Sequence, residues 1–172
     1  MEKVIFEADT MNRSLKRIAH EILEKNHDID KVVLAGIKTR GVFIANRLAS
    51  LIQQFEGIIV PTIEIDVRAY RDDEKRDDQV KPISLDADLV DKNVILVDDV
   101  LYTGRTIRAA FEAIIAHGRP KRIQLATLID RGHRELPIRA DYVGKNIPTS
   151  STEKVSVFLS EIDEEDAIYL KK

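Results

Sequence analysis

Apolar residues follow two kinds of spacing along this chain, short continuous runs and a three- or four-residue repeat. The repeat from Met11 to Ile22 predicts a helix that Asp9 or Thr10 caps and that ends near Lys25. Continuous runs bounded by turn residues are typical of buried strands, and longer amphipathic stretches are typical of helices. Together they predict strands at residues 31–36, 58–67, 93–97 and 121–129, and helices at residues 41–54 and 103–116.

This alternation predicts an α/β fold, a mostly parallel sheet flanked by helices with right-handed crossovers. From Arg131 onward the chain breaks into short pieces separated by glycine and proline, which indicates a small irregular hood over the sheet edge. We expect a single domain over residues 1–172, with a core at about 28–130 and a hood at about 131–160 plus the N-terminal segment.

The composition fits this fold and excludes several kinds of protein. Aromatic residues make up 5% and tryptophan is absent, so the core depends on aliphatic side chains, as in buried parallel sheets. Cysteine is absent, which excludes disulfides and thiolate metal sites. There is no apolar run near the roughly 20 residues of a membrane span and no signal-peptide pattern, so we expect a cytoplasmic protein without a membrane partner. The net charge of −3 does not by itself indicate a nucleic-acid binder.

Candidate chemistry is concentrated in residues 94–106, where a strand, two carboxylates and a turn rich in hydroxyls precede a helix. The free N–H groups and positive dipole end of a helix N-terminus suit a phosphate, and Gly104 allows close backbone approach. Asp98 and Asp99 stand just before this turn, where they could hold the vicinal hydroxyls of a sugar or the water shell of a magnesium ion. One loop would then bind both the phosphate and the diol of a sugar phosphate.

Simpler explanations exist for parts of this segment. An isolated Asp-Asp pair is as well explained by an acidic strand end that caps a helix, but the full pattern through Thr106 is far more specific. A response-regulator acidic pair should end the first strand, whereas Asp98 and Asp99 lie past mid-chain. Dinucleotide-binding and Walker glycine patterns are absent from the sequence, so those nucleotide sites are excluded.

Residues 36–41 form a second junction between a strand and a helix, and Thr39 and Arg40 could face another anion there. Alone, this junction is better explained as a capped turn with solvated charges. Beside the first motif, an anion site becomes the favoured interpretation.

The segment 94–106 resembles the phosphoribosyl pyrophosphate motif of type I phosphoribosyltransferases, and residues 17–21, 36–41 and 130–150 resemble the PyrR family. Members of that family are attenuators of pyrimidine operons that also act as uracil phosphoribosyltransferases. The resemblance implies the substrates uracil and phosphoribosyl pyrophosphate (PRPP), with Mg²⁺, and the products UMP and pyrophosphate. It also implies binding of a pyrimidine operon mRNA leader, tightened by UMP or UTP, and a homodimer that can extend to a hexamer.

By this resemblance, Asp98 and Asp99 hold the ribose hydroxyls directly or through the water shell of Mg²⁺. The resemblance also implies that residues 103–106 cradle the 5′-phosphate and that Thr39 and Arg40 face pyrophosphate. A loop over residues 70–76 closes on the substrate and excludes water, with Arg71 as its catalytic residue, although such a charged segment is most often just a solvated loop. Tyr102 replaces the acid of purine-salvaging relatives, which argues against a purine substrate and leaves the general base unassigned. PRPP and UMP would contact Thr39, Arg40, Asp98, Asp99, Val100, Leu101, Tyr102, Thr103, Gly104, Arg105 and Thr106, and uracil would contact Arg134, Leu136, Pro137 and Ile138.

RNA binding also has support from spacing, because Arg13, Lys16, Arg17 and His20 fall on one face of the first helix. Lys16 departs from the threonine expected in the family, which leaves the details of RNA contact open. The nearby acids Glu21 and Glu24 allow the alternative of a simply solvated face. The hood adds Arg131, His133, Arg134, Arg139 and Lys145 as further positive or titratable groups, and the predicted RNA contacts there are Arg139, Lys145 and Thr149.

Three functions remain open from the sequence. The favoured one is an enzyme that also regulates through RNA. The second is an RNA-binding regulator with vestigial catalysis, and the third is a pyrimidine-salvage enzyme that does not bind RNA.

Overall fold

The computed structural model describes residues 1–72, 77, 79–83 and 87–172. Its helices are α1 (Ala8–Lys25), α2 (Arg40–Glu56), α3 (Arg105–His117) and the single turn α4 (Ser160–Asp163). Its strands are β1 (Glu2–Glu7), β2 (Val32–Ile37), β3 (Thr62–Ile65), β4 (Asn93–Leu101), β5 (Arg122–Asp130), β6 (Tyr142–Asn146), β7 (Lys154–Phe158) and β8 (Ala167–Lys171).

Five strands form the central sheet in the order β3-β2-β4-β5-β6, and every neighbouring pair is parallel. Helices cover both of its faces, which is why β2 is buried along its whole length and almost entirely aliphatic. Side chains of α1 and α2 pack with Ile95 and Val97 on one face, and those of α3 pack with Val94 and Leu96 on the other. The predicted α/β fold with a mostly parallel sheet is confirmed. Across the described ranges, no helix combines the length and apolar character needed to cross a membrane.

The hood differs from the expected irregular lobe, because β1, β8 and β7 form a three-stranded antiparallel sheet. The segment after Arg131 also supplies β6, the fifth strand of the central sheet. These strands escaped prediction because each has only five or six residues and because exposed charges such as Lys145 interrupt their apolar pattern. Moreover, β1 pairs with a strand from the other end of the chain, which no local pattern can indicate.

Candidate active site

Asp98 and Asp99 lie at the carboxyl end of the sheet, inside β4 rather than after it. The strand was predicted to end at Val97, but pairing with β5 carries it on to Leu101. Asp98 is only 9% exposed. The Asp99 N–H donates to Asp98 Oδ1 (2.9 Å), and the Val100 N–H donates to Asp99 Oδ1 (2.8 Å). Backbone donors therefore fix the orientation of both carboxylates.

Burial and mutual repulsion impose an electrostatic penalty on this acidic pair. Burial raises the pKa of Asp98 well above its ordinary value, and the adjacent Asp99 charge raises it further. Burial also raises the pKa of Asp99. Arg71 opposes the pKa shift of Asp98, and Arg40 opposes that of Asp99, so both cations lie within electrostatic reach of the pair.

The donor set suits Mg²⁺ held together with a substrate. No group of three or more potential metal-ligating side chains occurs in the part of the chain that the structure describes, so a complete protein cage is absent there. Magnesium is commonly bound through one or two carboxylates, its own waters and substrate phosphates. Asp98 and Asp99 fit that mode, and a cation beside them would offset their mutual repulsion.

A turn at residues 102–104 leads from β4 into α3 and forms the candidate phosphate loop. Gly104 has a positive φ of 94°, a conformation that favours glycine, and a Cβ there would lie 3.3 Å from Ile138 Cδ1. The Thr103 hydroxyl accepts a hydrogen bond from the Arg105 N–H (3.2 Å). The Arg105 guanidinium points elsewhere and bridges Asp72 (3.1 Å) and Glu135 (3.4 Å). The loop geometry thus comes from backbone and hydroxyl groups, as phosphate binding requires.

The candidate uracil residues lie directly against this loop. The N–H groups of Glu135 and Leu136 donate to the Thr103 carbonyl at 2.9 and 3.2 Å. Arg134 donates to the carbonyls of Tyr102 (2.8 Å) and Ile138 (2.9 Å), and it also pairs with the Asp130 carboxylate (2.5 Å). The structure therefore brings Arg134, Leu136 and Ile138 beside the phosphate loop, with Pro137 exposed between the last two.

Arg131 and His133 contact the ring of Tyr102, a role that the sequence did not predict for them. The buried Arg131 guanidinium lies 4.0 Å from the centre of the Tyr102 ring, while His133 meets the ring edge-on at 6.1 Å. Arg131 also donates to the Glu153 carbonyl (2.6 Å). Arg131 was expected to add surface charge, but its burial makes it a support for Tyr102 instead. Its position after a buried strand gave no signal of this role.

The junction between β2 and α2 sits tightly on the end of β4. A Cβ at Gly36 would come within 2.5 Å of Val42 Cα, and one at Gly41 would overlap the Val97 carbonyl oxygen. The Lys38–Thr39 peptide bond is cis. A Cβ at Gly41 would also lie 3.3 Å from Asp98 Cα, and Arg40 lines one pocket together with Asp99, so the start of α2 lies against the acidic pair. The anion site at Thr39 and Arg40 stays a prediction.

Arg40 also joins the core to the hood. Its Nε donates to the Val157 carbonyl of β7 (2.7 Å), and its Nη2 pairs with both Asp163 carboxylate oxygens at 3.0 and 3.1 Å. Two turns further along α2, Arg47 forms salt bridges with Glu161 (2.5 Å) and Asp166 (2.7 Å). These two carboxylates raise the pKa of Arg47 above its ordinary value. The hood is therefore anchored to α2 by two arginines.

The predicted lid is described only in part. Arg71 is half-buried and interacts electrostatically with Asp98, and Arg108 of α3 donates to the Tyr70 carbonyl (3.2 Å). The remainder of the predicted lid at 73–76 lies outside the described residues.

The candidate RNA contacts on α1 are all exposed. Arg17 donates to the carbonyls of Val143 (3.2 Å) and Gly144 (2.5 Å) on the edge strand β6, and His20 stacks on Phe55 with ring centres 4.1 Å apart. Among the predicted RNA contacts of the hood, Arg139 and Lys145 are exposed. Lys145 directly follows Val143 and Gly144, whose carbonyls accept from Arg17. The Thr149 hydroxyl donates to the Arg131 carbonyl (3.0 Å). The basic row on α1 and Lys145 consequently adjoin along β6.

Comparisons with known proteins show which family the chain belongs to. The profile of the phosphoribosyl transferase domain matches residues 3–163. The Bifunctional protein PyrR of Streptococcus thermophilus (strain CNRZ 1066) is 56% identical over 167 residues, which cover 97% of this chain and 95% of the relative. That of Streptococcus pneumoniae (strain CGSP14) is 53% identical over 168 residues, covering 98% of this chain and 96% of the relative.

Solved structures share the fold at lower identity. A hypoxanthine phosphoribosyltransferase of Trypanosoma cruzi superposes with a TM-score of 0.76 at 19% identity, covering 98% of this chain and 95% of that one. One from Staphylococcus aureus gives a TM-score of 0.71 at 19% identity, covering 96% and 90%. The chain therefore belongs to the phosphoribosyl transferase domain family and, within it, to the PyrR proteins.

Proposed function

We propose that this chain transfers the phosphoribosyl group of PRPP to uracil, and that it also binds a pyrimidine operon mRNA leader in response to UMP or UTP. The observation that carries the enzymatic part is the acidic pair of a buried Asp98 and a half-buried Asp99, followed by a candidate phosphate loop at the start of α3. Such an arrangement holds a ribose at its hydroxyls and at its 5′-phosphate simultaneously.

The residues of the site have separable tasks in this reaction. The N–H groups and hydroxyls of Thr103 and Thr106 hold the 5′-phosphate, while Asp98 and Asp99 hold the ribose hydroxyls directly or through metal-bound water. Mg²⁺, when bound with PRPP, supplies positive charge to the pyrophosphate. The anomeric carbon is thereby fixed for displacement by the uracil nitrogen, and the carboxylates stabilise positive charge that develops on the sugar.

In this proposal uracil lies next to the phosphate loop. Leu136 and Ile138 pack near Gly104, and backbone groups of the same segment can pair with the edge of a pyrimidine. Tyr102 stands where purine-salvaging relatives have an acid, which favours a pyrimidine. Arg71 from the lid is the remaining proposed catalytic residue, because its charge acts on Asp98.

Direct assay tests the enzymatic proposal. The purified chain incubated with uracil, PRPP and Mg²⁺ should form UMP and pyrophosphate, and chelation of Mg²⁺ by EDTA should stop the reaction. Hypoxanthine offered in place of uracil should give little product. Absence of UMP under these conditions would contradict the proposed enzyme and favour a regulator that uses the site only to sense UMP.

RNA binding is supported by the exposed cations of α1, where Arg17 contacts the β6 residues that precede the exposed Lys145, within a chain of net charge −3. Local cations that track phosphates can bind RNA even when the whole protein is acidic. Regulation of transcription by attenuation follows if a ligand in the active site alters this surface. We further propose that the chain acts in the cytoplasm as a homodimer or hexamer.

Replacing Arg13 and Lys16 together by glutamine should raise the Kd for a pyrimidine leader RNA by about tenfold and reduce the salt slope of log Kd by about 2. Both side chains are exposed and neither takes part in the edge contacts of Arg17, so folding and UMP synthesis should not change. Binding is measured by filter retention with and without UMP over a range of salt concentrations.

The matched control replaces Lys92 and Lys121, which meet at the opposite end of the sheet, where the Lys121 N–H donates to the Lys92 carbonyl (2.9 Å). Its charge change is identical, and RNA affinity should stay at the parental value. Equal weakening by both double variants would remove the α1 row from the RNA surface.

A further inference from the structure

A pocket of about 310 Å³ opens between the acidic pair and the hood. The phosphate loop leads into α3, which covers one face of the sheet, whereas Arg40 begins α2 on the other face. A ligand that spans Asp98 and Asp99 thus reaches the phosphate loop at one end and this pocket at the other. Its lining consists of Arg40, Asp99, Lys154, Val155, Ser156, Val157 and Phe158.

The register of β7 turns Lys154 away from the core. Val155 and Val157 are buried in the hydrophobic cluster shared with α1 and α2, and side chains alternate along a strand. Lys154 and Ser156 therefore lie on the other face of β7, where both line the pocket. An ammonium group and a hydroxyl on one strand offer two hydrogen-bond donors to an anion.

Two described cations near the pocket, Arg40 in its lining and Lys38 two residues before it, already have carboxylate partners. Arg40 is held by Asp163 and by the Val157 carbonyl, and Lys38 lies 3.7 Å from Glu64. For Lys154, no carboxylate within ion-pair distance is found among the residues that the structure describes. The positive charge of Lys154 is consequently available to a ligand, in contrast to that of Arg40.

We infer that Lys154 binds the diphosphate that leaves the sugar, an inference that rests on the proposed function. In the transfer, the bond between the anomeric carbon and the diphosphate oxygen breaks as the bond to the uracil nitrogen forms. The bonding electron pair departs with that oxygen and increases the negative charge of the diphosphate. Lys154 faces this charge across the pocket, while the ribose and the 5′-phosphate stay on the other side of Asp99.

The test compares two ligands that each carry one part of PRPP. Pyrophosphate has the diphosphate, and UMP has the ribose 5′-phosphate. Lys154→Met should raise the inhibition constant for magnesium pyrophosphate and the KM for PRPP by about tenfold, because a charge-assisted hydrogen bond is lost. The Kd for UMP, which has no diphosphate, should stay within about twofold of the parental value. Lys154→Arg keeps the charge and should recover most of the pyrophosphate affinity.

Lys171→Met is the matched control, since Lys171 lies directly across from Lys154 on β8 but pairs with Glu2 (3.0 Å). It should leave all three constants unchanged. Unaltered pyrophosphate affinity in Lys154→Met, or an equal loss of UMP affinity, would overturn the inference. Calorimetric titration with magnesium pyrophosphate needs no turnover, so a parent chain that binds it without making UMP would contradict only the proposed function.

Discussion

Replacing Asp98 and Asp99 together by asparagine should lower kcat/KM for UMP formation by about 10³-fold or more. Asparagine keeps the shape of each side chain and an oxygen for the N–H groups of Asp99 and Val100. What disappears is the negative charge that orients the ribose hydroxyls, attracts Mg²⁺ and stabilises a positive sugar. Steady-state kinetics with varied PRPP concentration measure the loss.

The same double variant should be at least as stable as the parent, which separates lost chemistry from lost folding. Folding raises the pKa of both carboxyls, so the native state binds protons more tightly than the unfolded chain. Stability of the parent therefore falls as pH rises from the unfolded pKa through the folded pKa, and the penalty is complete above the latter. The gain in Tm should be larger at pH 8 than at pH 4.

Asp88→Asn is the appropriate control because its carboxylate is exposed and, among the described residues, accepts only the Val90 N–H (3.0 Å), a bond that asparagine can keep. It should retain parental activity and Tm. Near-parental activity in the double variant would refute the assignment of the acidic pair, and a lower Tm at pH 8 would refute the electrostatic penalty.

Gly41→Ala should cost about 3 kcal/mol of stability and also reduce kcat by about 10²-fold. The added methyl group would overlap the Val97 carbonyl oxygen, and both partners are backbone at a sheet–helix junction that cannot yield easily. Relief of the clash must move the start of α2 away from β4, which carries Thr39 and Arg40 away from Asp99. A Tm about 8 °C lower is expected for a chain of this size.

Gly118→Ala is the matched control, because it adds the same methyl group at a position with enough room for it. Gly118 has an extended backbone, and a Cβ there would meet only Leu89 Cβ at 3.9 Å, an ordinary contact. The kcat of this variant should match that of the parent, and its Tm should be equal or slightly higher. A Gly41→Ala protein with parental Tm and kcat would show that the junction has more room than the geometry indicates.

The part of the site that the sequence predicted is the part built from neighbours along the chain. Strand, acids, glycine turn and helix in residues 94–106 are all local features, and each appears where it was expected. Only the end of the strand was misplaced, because Asp98 and Asp99 resemble a polar stop while β5 continues to pair with them. Tertiary pairing overrode a local signal there.

The remainder depends on contacts between distant segments. Arg134 looked like surface charge or a base contact, yet it binds Asp130 and the Tyr102 carbonyl. Arg17 was assigned to RNA, yet in this structure it also covers the exposed carbonyls of β6, the kind of edge that otherwise invites pairing with other strands. No sequence pattern indicated Lys154, because its place in the pocket depends on how β7 packs beside Asp99.

The pairing of β1 with β8 also determines when the hood can form. A ribosome makes β1 before β8, so β1 must wait for its partner while the central sheet can already form around β2 and β4. The pocket wall supplied by β7 depends on the same sheet. A chain synthesised only as far as β6 would therefore present the candidate phosphate loop without the pocket wall that β7 supplies.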